Sequence, residues 1–385
     1  MFDTKQFARV LKNTRMARLL TQNDVARELR VTPQSVSKWE RGEVVPDVEN
    51  LCALSKLLSV SLDVLLDNRP ADMVGLIGID GGATKTEFVL IDETGRCLNT
   101  IVLPGCNPNA CGVEKTLEIL RQGIDFLRPQ EMNVAGIHFG GAGMFSGNYG
   151  DMVCAALQKA YPNLKISCAN DISNVIACCE KPELCIAAIS GTGCVVYSHR
   201  SGQLRRFGGI GYLFEGSGSG YDMGRDAITA ALRAGDGLGE STLLTQLVEQ
   251  RLGGPAWNSI QELYRREPAY IASFSLLVSQ AAEEDDPVAQ QILRRNALHM
   301  ASLIRAAHQH IPDARNVILS GSLFANNDRF FQTVTEALDP GLSVDRMTCP
   351  PVWGACLQAA RLCGMETMPD LEVFICSRNN LTKGA

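Results

Sequence analysis

The sequence predicts a small all-α domain followed by a two-lobed α/β body, and three observations carry that expectation. Apolar residues at helical spacing run through the first 67 positions. From residue 74 onward, strand-like apolar runs end repeatedly in glycine turns, at 81–82, 191–193 and 321. The length of 385 residues exceeds one ordinary core, at about 100–200 residues per domain.

The helical part begins with Phe7, Val10, Leu11 and Ala17 at helical intervals. Thr21 then supplies an N-cap hydroxyl, with Asp24 at the third helical position. After a short break at Arg30-Val31, Thr32-Pro33 gives a cap and a first-turn proline, and Gly42 stops the second helix. Two short helices joined by a tight turn place Val25, Ala26, Leu29, Val36 and Trp39 inward and leave Gln34, Ser35, Ser37 and Lys38 outward. Those outward groups suit major-groove reading, because Gln pairs bidentately with adenine, Ser adapts, and Lys meets guanine or phosphate. An ordinary polar helix face has the same pattern, so the residues alone leave both readings open. The polar, proline-punctuated Asp67–Asp72 stretch separates a helical domain over 1–67 from the body, with a linker over 68–73, and the recurrence of the strand-to-glycine pattern from Cys185 onward divides the body into a first lobe over 74–185 and a second over 186–385.

In the body, Val74–Asp80 and Glu87–Asp92 form a hairpin with a glycine tip. Backbone amides at such a tip can approach phosphate oxygens, threonine hydroxyls can donate to them, and an aspartate at a strand end can hold hydrated Mg²⁺. A Gly-Gly hairpin is also commonplace. The tip is neither a P-loop nor a Rossmann turn, since no helix follows where one is needed. The pattern recurs at Ser190-Gly191-Thr192-Gly193, and Ser320-Gly321-Ser322-Leu323 follows a third strand. Lys165–Asp171 reads as a strand ending in an aspartate ahead of the helical Ile172–Ala177. Asp171 is there either a helix cap or a carboxylate placed for chemistry.

Composition narrows the class. At 45% hydrophobic and 20% charged residues the chain is globular rather than disordered. No run of about 18 apolar residues and no signal-peptide pattern occurs, so a cytoplasmic protein without membrane attachment is expected. The 14 cysteines, with no CxxC pair, read as reduced buried thiols, and no structural metal is expected. His299, His308 and His310 do not make a metal site among themselves, because 308 and 310 lie on different helix faces. Residues 1–70 carry a net +2 and the rest −8, a mild asymmetry consistent with a first domain facing nucleic acid.

The stretch Phe7–Leu66, with Trp39-Glu40-Arg41-Gly42 and the closing Leu62-Asp63-Val64-Leu65-Leu66, resembles the Cro/phage-repressor (XRE) type of helix-turn-helix family. The resemblance implies a five-helix all-α DNA-binding domain that binds double-stranded DNA as a homodimer, with Gln22, Gln34, Ser35, Ser37 and Lys38 at the DNA. GIDGGATKTEFVLID, the ISGTG turn, GSGSGYDMGRDAI and PPVWGACLQAARL resemble the N-acetylglucosamine kinase and BadF/BadG/BcrA/BcrD ATPase family, within the actin/hexokinase/Hsp70 superfamily, over nearly all of 74–365.

This second resemblance implies a two-lobed actin-like ATPase (ribonuclease H-like) fold with ATP and Mg²⁺ as cofactors and a sugar or amino sugar as ligand. Carried over by residue, it puts Gly81, Gly82, Thr84, Lys85, Thr86, Gly191, Thr192 and Gly193 at the phosphates and Gly321 and Ser322 at the adenosine. Asp80 falls at Mg²⁺ through water, Asn107 at a sugar hydroxyl, and Asp171 at the position of the catalytic base. One loop departs from the pattern. Where related kinases carry Gly-Asp-Glu-Gly-Ser against the sugar, this chain has Glu215-Gly216-Ser217-Gly218-Ser219, which leaves Glu215 as the substitute contact if the loop shifts. Cys194 likewise stands where a more polar residue is expected. The leading reading is a DNA-binding regulator with an ATP-binding, sugar-kinase-like sensor domain. A working N-acetylglucosamine or hexose kinase with an autoregulatory DNA-binding arm is the alternative. An iron–sulfur activating ATPase comes third, because it needs paired cysteines in a glycine-rich segment and no convincing pair is found.

Overall fold

The computed structural model describes residues 4–18, 20–66, 73–82, 84–128, 133–145 and 147–382. Five helices come first: α1 (Thr4–Ala17), α2 (Gln22–Leu29), α3 (Pro33–Glu40), α4 (Val48–Leu58) and α5 (Leu62–Leu65). Local chemistry sets their ends. The Thr21 hydroxyl accepts the Asp24 backbone N–H while the Asp24 carboxylate accepts that of Thr21, closing a capping box. Thr32 caps α3 through the Ser35 N–H, with Pro33 in its first turn. Phe7, Leu11, Val25, Ala26, Val36, Trp39, Leu54 and Leu58 are buried between these helices. Of the expected linker over 68–73, residues 68–72 lie outside the described residues.

The first sheet holds β1 (Val74–Gly81), β2 (Lys85–Asp92), β3 (Cys97–Pro104), β4 (Asn133–Gly141) and β5 (Lys165–Asn170), in the order β3-β2-β1-β4-β5. The first three strands are antiparallel and β4 and β5 continue parallel to β1. Helices α6 (Pro108–Leu127), α7 (Tyr149–Ala160) and α8 (Ile172–Ala177) connect and follow them.

The second sheet repeats the plan with β6 (Leu184–Ser190), β7 (Cys194–Arg200), β8 (Gln203–Gly208), β9 (Asn316–Ser320) and β10 (Ser343–Arg346), ordered β8-β7-β6-β9-β10. Its long insertion between β8 and β9 is helical: α9 (Gly220–Gly235), α10 (Leu243–Leu252), α11 (Ile260–Leu263), α12 (Pro268–Ala272), α13 (Ser275–Glu283) and α14 (Pro287–His310). Then come α15 (Ser322–Asn326) and α16 (Asp328–Glu336), and after β10 the chain ends in α17 (Pro351–Cys363) and α18 (Leu371–Thr382). Two sheets of one topology are the duplication that the recurring strand-to-glycine turns predict.

The chain divides into two compact units, Met1–Ala177 with Cys349–Ala385, and Cys178–Thr348. The lobes therefore change at 177/178 rather than at 185/186, and residues 349–385, expected in the second lobe, return to the first. Close packing explains the return. A Cβ on Gly78 of β1 would sit 2.6 Å from Cys356 Sγ, and one on Gly354 of α17 would sit 1.7 Å from the Asn174 carbonyl oxygen. Helix α17 is thus seated directly on β1 and α8.

The helical domain is part of the first unit through bonds as well as packing. The Ser61 N–H donates to the Leu98 carbonyl at 2.8 Å, and Val60 pairs with Asn99 as an antiparallel bridge against β3. Arg18 donates to the Thr100 carbonyl and lies 5.4 Å over the Phe126 ring. Burial there pushes its pKa down to about 10, the cost of holding a cation in this seam. Among the described residues no helix is long and apolar enough to cross a membrane.

Candidate functional site

In the first unit, sheet register brings two carboxylates to one edge. Asp80 lies at the end of β1 opposite Gly140 of β4, and Gly141 at the end of β4 pairs with Asn170, the residue before Asp171. Asp80 and Asp171 thus flank the end of β4 from both sides, about 10 Å apart at the backbone by strand spacing. The strand between them ends in two glycines, Gly140 and Gly141, which leave its tip without side chains. Parallel strands present ligand sites at such carboxyl ends.

Each carboxylate has its own hold. Asn174 donates from Nδ2 to Asp80 Oδ1 at 2.8 Å, and a Cβ on Gly140 would come within 2.2 Å of Asn174 Oδ1, so the glycine makes room for that amide. Burial pushes the Asp80 carboxyl up to about 7, the Asn174 bond opposes the rise, and the charges of Asp171 and Glu87 add to it. Asp171 accepts the Ile172 N–H at 3.0 Å, so it does cap α8 while its carboxyl is also raised by burial. Asn174 was not singled out from the sequence, although its place three residues after Asp171 puts both on one face of the chain's entry into α8.

A buried carboxylate among other carboxylates has an unmet need for positive charge, which is the condition a hydrated divalent cation satisfies. This gives a stability prediction. The group is raised from 3.8 toward 7 on folding, so it withholds stability as pH climbs through that window and withholds all of it above 7. Asp80→Asn should therefore raise the unfolding free energy at pH 8 by a few kcal/mol, about 4 at most, with the gain vanishing near pH 4. Thermal unfolding of both proteins across that range, without nucleotide, checks it.

The hairpin tip is only partly as expected. Thr84 and Lys85 are exposed and the Gly82 N–H donates to the Lys85 carbonyl at 2.8 Å. Thr86, expected among the phosphate contacts, is instead fully buried, with its hydroxyl donating to the Pro104 carbonyl at 2.9 Å. Strand alternation turns it to the face opposite Lys85. Gly81 is buried as well, and a Cβ there would meet the Phe139 ring at 2.6 Å. Asn107 follows β3 and is the N-cap of α6, its side chain accepting the Asn109 N–H at 2.9 Å. Gly143 passes so close to it that a Cβ would lie 2.2 Å from Asn107 Oδ1.

In the second unit, the two other glycine turns come together. The Gly191 carbonyl accepts the Gly220 N–H at 2.7 Å and that of Thr192 accepts the Tyr221 N–H at 3.2 Å, which pins the turn to the start of α9. Ser219 caps this helix through the Asp222 N–H. A Cβ on Gly191 would lie 3.7 Å from Ser322 Oγ, and one on Gly321 only 2.3 Å from the Ser190 carbonyl oxygen. Thr192, Gly193 and Ser322 are exposed around this junction.

The 215–219 loop is held by α14. Asn296 Oδ1 accepts from the Gly218 N–H at 2.7 Å and from Ser217 Oγ at 3.1 Å. Glu215 Oε2 accepts the Ile210 N–H at 2.9 Å, and its other oxygen lies 3.3 Å from His299 Nε2. Glu215, taken from the sequence as a substitute sugar contact, is in this arrangement turned onto its own unit.

On the helix-turn-helix surface, Gln34 and Lys38 are exposed on α3. Ser35 Oγ lies 2.9 Å from Thr32 Oγ1, and Ser37 Oγ accepts from Arg41 at 2.6 Å. Gln22 donates to Glu40 Oε2 at 2.7 Å, and Arg15 grips the same carboxylate at 2.5 and 3.0 Å. That half-buried three-residue network fixes α2 against α3 and has no signal in the sequence.

Comparison with known proteins agrees with this two-part architecture. The model of the BadF/BadG/BcrA/BcrD ATPase family matches residues 77–355, and a helix-turn-helix model matches 11–65. An N-acetylmuramic acid/N-acetylglucosamine kinase of Clostridium acetobutylicum is 28% identical over 239 residues, 60% of this chain and 78% of that one. The HTH-type transcriptional activator BcrR of Enterococcus faecalis is 39% identical over 64 residues, 17% of this chain and 31% of that one. Among solved structures, a ROK family transcriptional regulator, a homologue of the E. coli MLC protein, aligns with a TM-score of 0.51 at 13% identity, over 98% of this chain and 97% of that one. The fold is thus a helix-turn-helix domain followed by an actin-like, sugar-kinase-like ATPase domain.

Proposed function

Because the chain belongs to the BadF/BadG/BcrA/BcrD ATPase family and carries a helix-turn-helix domain ahead of it, we propose that it is a transcription regulator whose body binds ATP–Mg²⁺ and an amino sugar. The observation that carries this reading is the pair of strand-end carboxylates, Asp80 and Asp171, at one sheet edge in a chain that also presents Gln34 and Lys38 on a capped recognition helix. The likeness to the N-acetylmuramic acid/N-acetylglucosamine kinase of Clostridium acetobutylicum supports an N-acetylated hexosamine as the ligand.

The roles divide by position. Thr84, Lys85, Gly82 and the Gly191-Thr192-Gly193 turn face the phosphates, and Gly321 with Ser322 the adenosine. Asp80 holds Mg²⁺ through its water shell, which supplies charge neutralisation when bound. Asn107 orients a sugar hydroxyl, and Asp171 takes the proton of the hydroxyl that accepts the phosphoryl group. At the DNA, Gln34 reads base edges and Lys38 meets phosphate or guanine, while Ser35, Ser37 and Gln22 hold the helix in register. The protein acts as a homodimer on two half-sites.

The test is operator binding. An operator selected from random DNA should change affinity at least about fivefold when ATP–Mg²⁺ and N-acetylglucosamine or N-acetylmuramic acid are added together, the low end of measured coupling energies. Gln34→Ala should cost about 1–3 kcal/mol at its own base step by fluorescence anisotropy, with the helix otherwise intact. Operator affinity indifferent to every ligand would sink the sensor reading, and no selected operator would sink the regulator.

A further inference from the structure

We propose that Cys194, Glu215 and His299 form a binding site for one divalent transition-metal ion of the zinc class, with a fourth coordination position open to water or a ligand. Their candidate ligand atoms, one thiol sulfur, one carboxylate oxygen and one imidazole nitrogen, all lie within 4.8 Å of one another. The Glu215 oxygen and His299 Nε2 are 3.3 Å apart. Two ligands at zinc distances of about 2.0–2.2 Å in a tetrahedron are separated by about 3.3–3.5 Å, so this edge is already at its bound length.

The surroundings are shaped for the three groups to meet. Gly218 has a φ of +99°, and a Cβ there would strike His299 Cδ2 at 2.9 Å and Cys194 Sγ at 3.1 Å. Gly208, at φ +66°, would place a Cβ 2.7 Å from Glu215 Oε1. Both positions thus favour glycine in backbone conformation and in space. Outer contacts orient the ligands: the Ile210 N–H holds the second Glu215 oxygen, and Asn296, one turn before His299, fixes the Ser217–Gly218 backbone. Such supports are a regular part of metal centres. Cys194 is 5% exposed and the Glu215 side chain 6%, while the His299 side chain is 29% exposed, which leaves one side for entry and for the fourth ligand.

A dication at this point would take the place of the thiol proton and balance the Glu215 carboxylate. The donor set of sulfur, imidazole and carboxylate suits zinc and its cobalt surrogate rather than Mg²⁺ or Ca²⁺. The sequence hides the site because its ligands come from a strand, a loop and a long helix, with 20 and then 83 residues between them.

The experiment uses the full-length protein, stripped by chelator and titrated with Co²⁺ alone, then with Zn²⁺ in competition. One equivalent should bind per chain with a thiolate-to-cobalt charge-transfer band, displaced by zinc. Cys194→Ser should remove the band, and Glu215→Gln and His299→Gln should each weaken Co²⁺ binding at least about tenfold, with unchanged circular dichroism. Absence of the band in the unmodified protein, its survival in Cys194→Ser, or unchanged affinity in folded His299→Gln overturns the site. None of these readouts involves ATP, sugar or DNA, so they stand apart from the regulator reading.

Discussion

If the proposed sensor body also transfers phosphate to the amino sugar, Asp171→Asn should lower that ATP-dependent turnover by about 10²- to 10⁴-fold while leaving the fold and the ligand-free operator affinity as they are. The magnitude is that of removing a positioned general base. The choice of asparagine matters, because Asp171 also caps α8 through the Ile172 N–H at 3.0 Å. Asparagine keeps an oxygen acceptor for that bond and removes only the capacity to take a proton. The raised pKa of Asp171 comes from burial and is opposed by backbone donors, which places the group nearer the working pH than a surface aspartate. Single-turnover assays with radiolabelled ATP, beside calorimetric sugar binding, separate the outcomes. A loss of turnover with sugar affinity preserved fits the base; equal loss of both points to a purely structural aspartate. Preserved turnover removes Asp171 from the chemistry.

Gly321→Ala should damage the second unit on two counts. Its φ of 103° and ψ of 164° fall in a region open essentially to glycine, at a cost of about 1–3 kcal/mol for any other residue. The added Cβ would also lie 2.3 Å from the Ser190 carbonyl oxygen and 2.6 Å from its carbon, which are backbone atoms that cannot swing aside. Overpacking of this kind adds a further ~1–3 kcal/mol. Relief comes only by separating the ends of β6 and β9, and those ends carry the Gly191 and Ser322 turns proposed to hold the nucleotide. Affinity for a fluorescent ATP analogue should fall at least about tenfold and the melting temperature by several degrees. Ser322→Ala, which adds no atom, should leave the melting temperature where it is. Tight nucleotide binding by Gly321→Ala would remove this junction from the site.

Much of the architecture was legible because local chemistry wrote it. The Thr21–Asp24 capping box and the Thr32-Pro33 start fix α2 and α3 within the sequence itself, and the glycine turns mark the strand ends of both sheets. What escaped depends on long-range packing. Nothing in the helical pattern of Pro351–Cys363 says which sheet it covers; Gly354 against the Asn174 carbonyl decides it, across 180 residues. Thr86 is a case where the information was present but outweighed: its neighbour Lys85 faces out, and period-two alternation alone turns the threonine hydroxyl inward to Pro104. Asn174 and the Arg15–Glu40–Gln22 network were missed because polar residues on helices look alike in sequence until their partners are known.

The seam between the helical domain and β3 has a mechanical meaning. A reader head hung on a flexible tether samples orientations independently of whatever its carrier does, and news from the carrier is averaged away. Here the Ser61–Leu98 bond, the Val60–Asn99 bridge and the half-buried Arg18 fasten the head to a sheet edge, so the recognition helix behaves as a pointer on a stiff arm. Any rotation of the first unit swings that pointer through the same angle, and displacement at its tip grows with distance from the pivot. Half-sites on DNA repeat at a fixed pitch of about 34–36 Å. In the proposed homodimer a pair of such pointers would be a gauge with a set span, and a few degrees of turn would be enough to take it in or out of step with the groove.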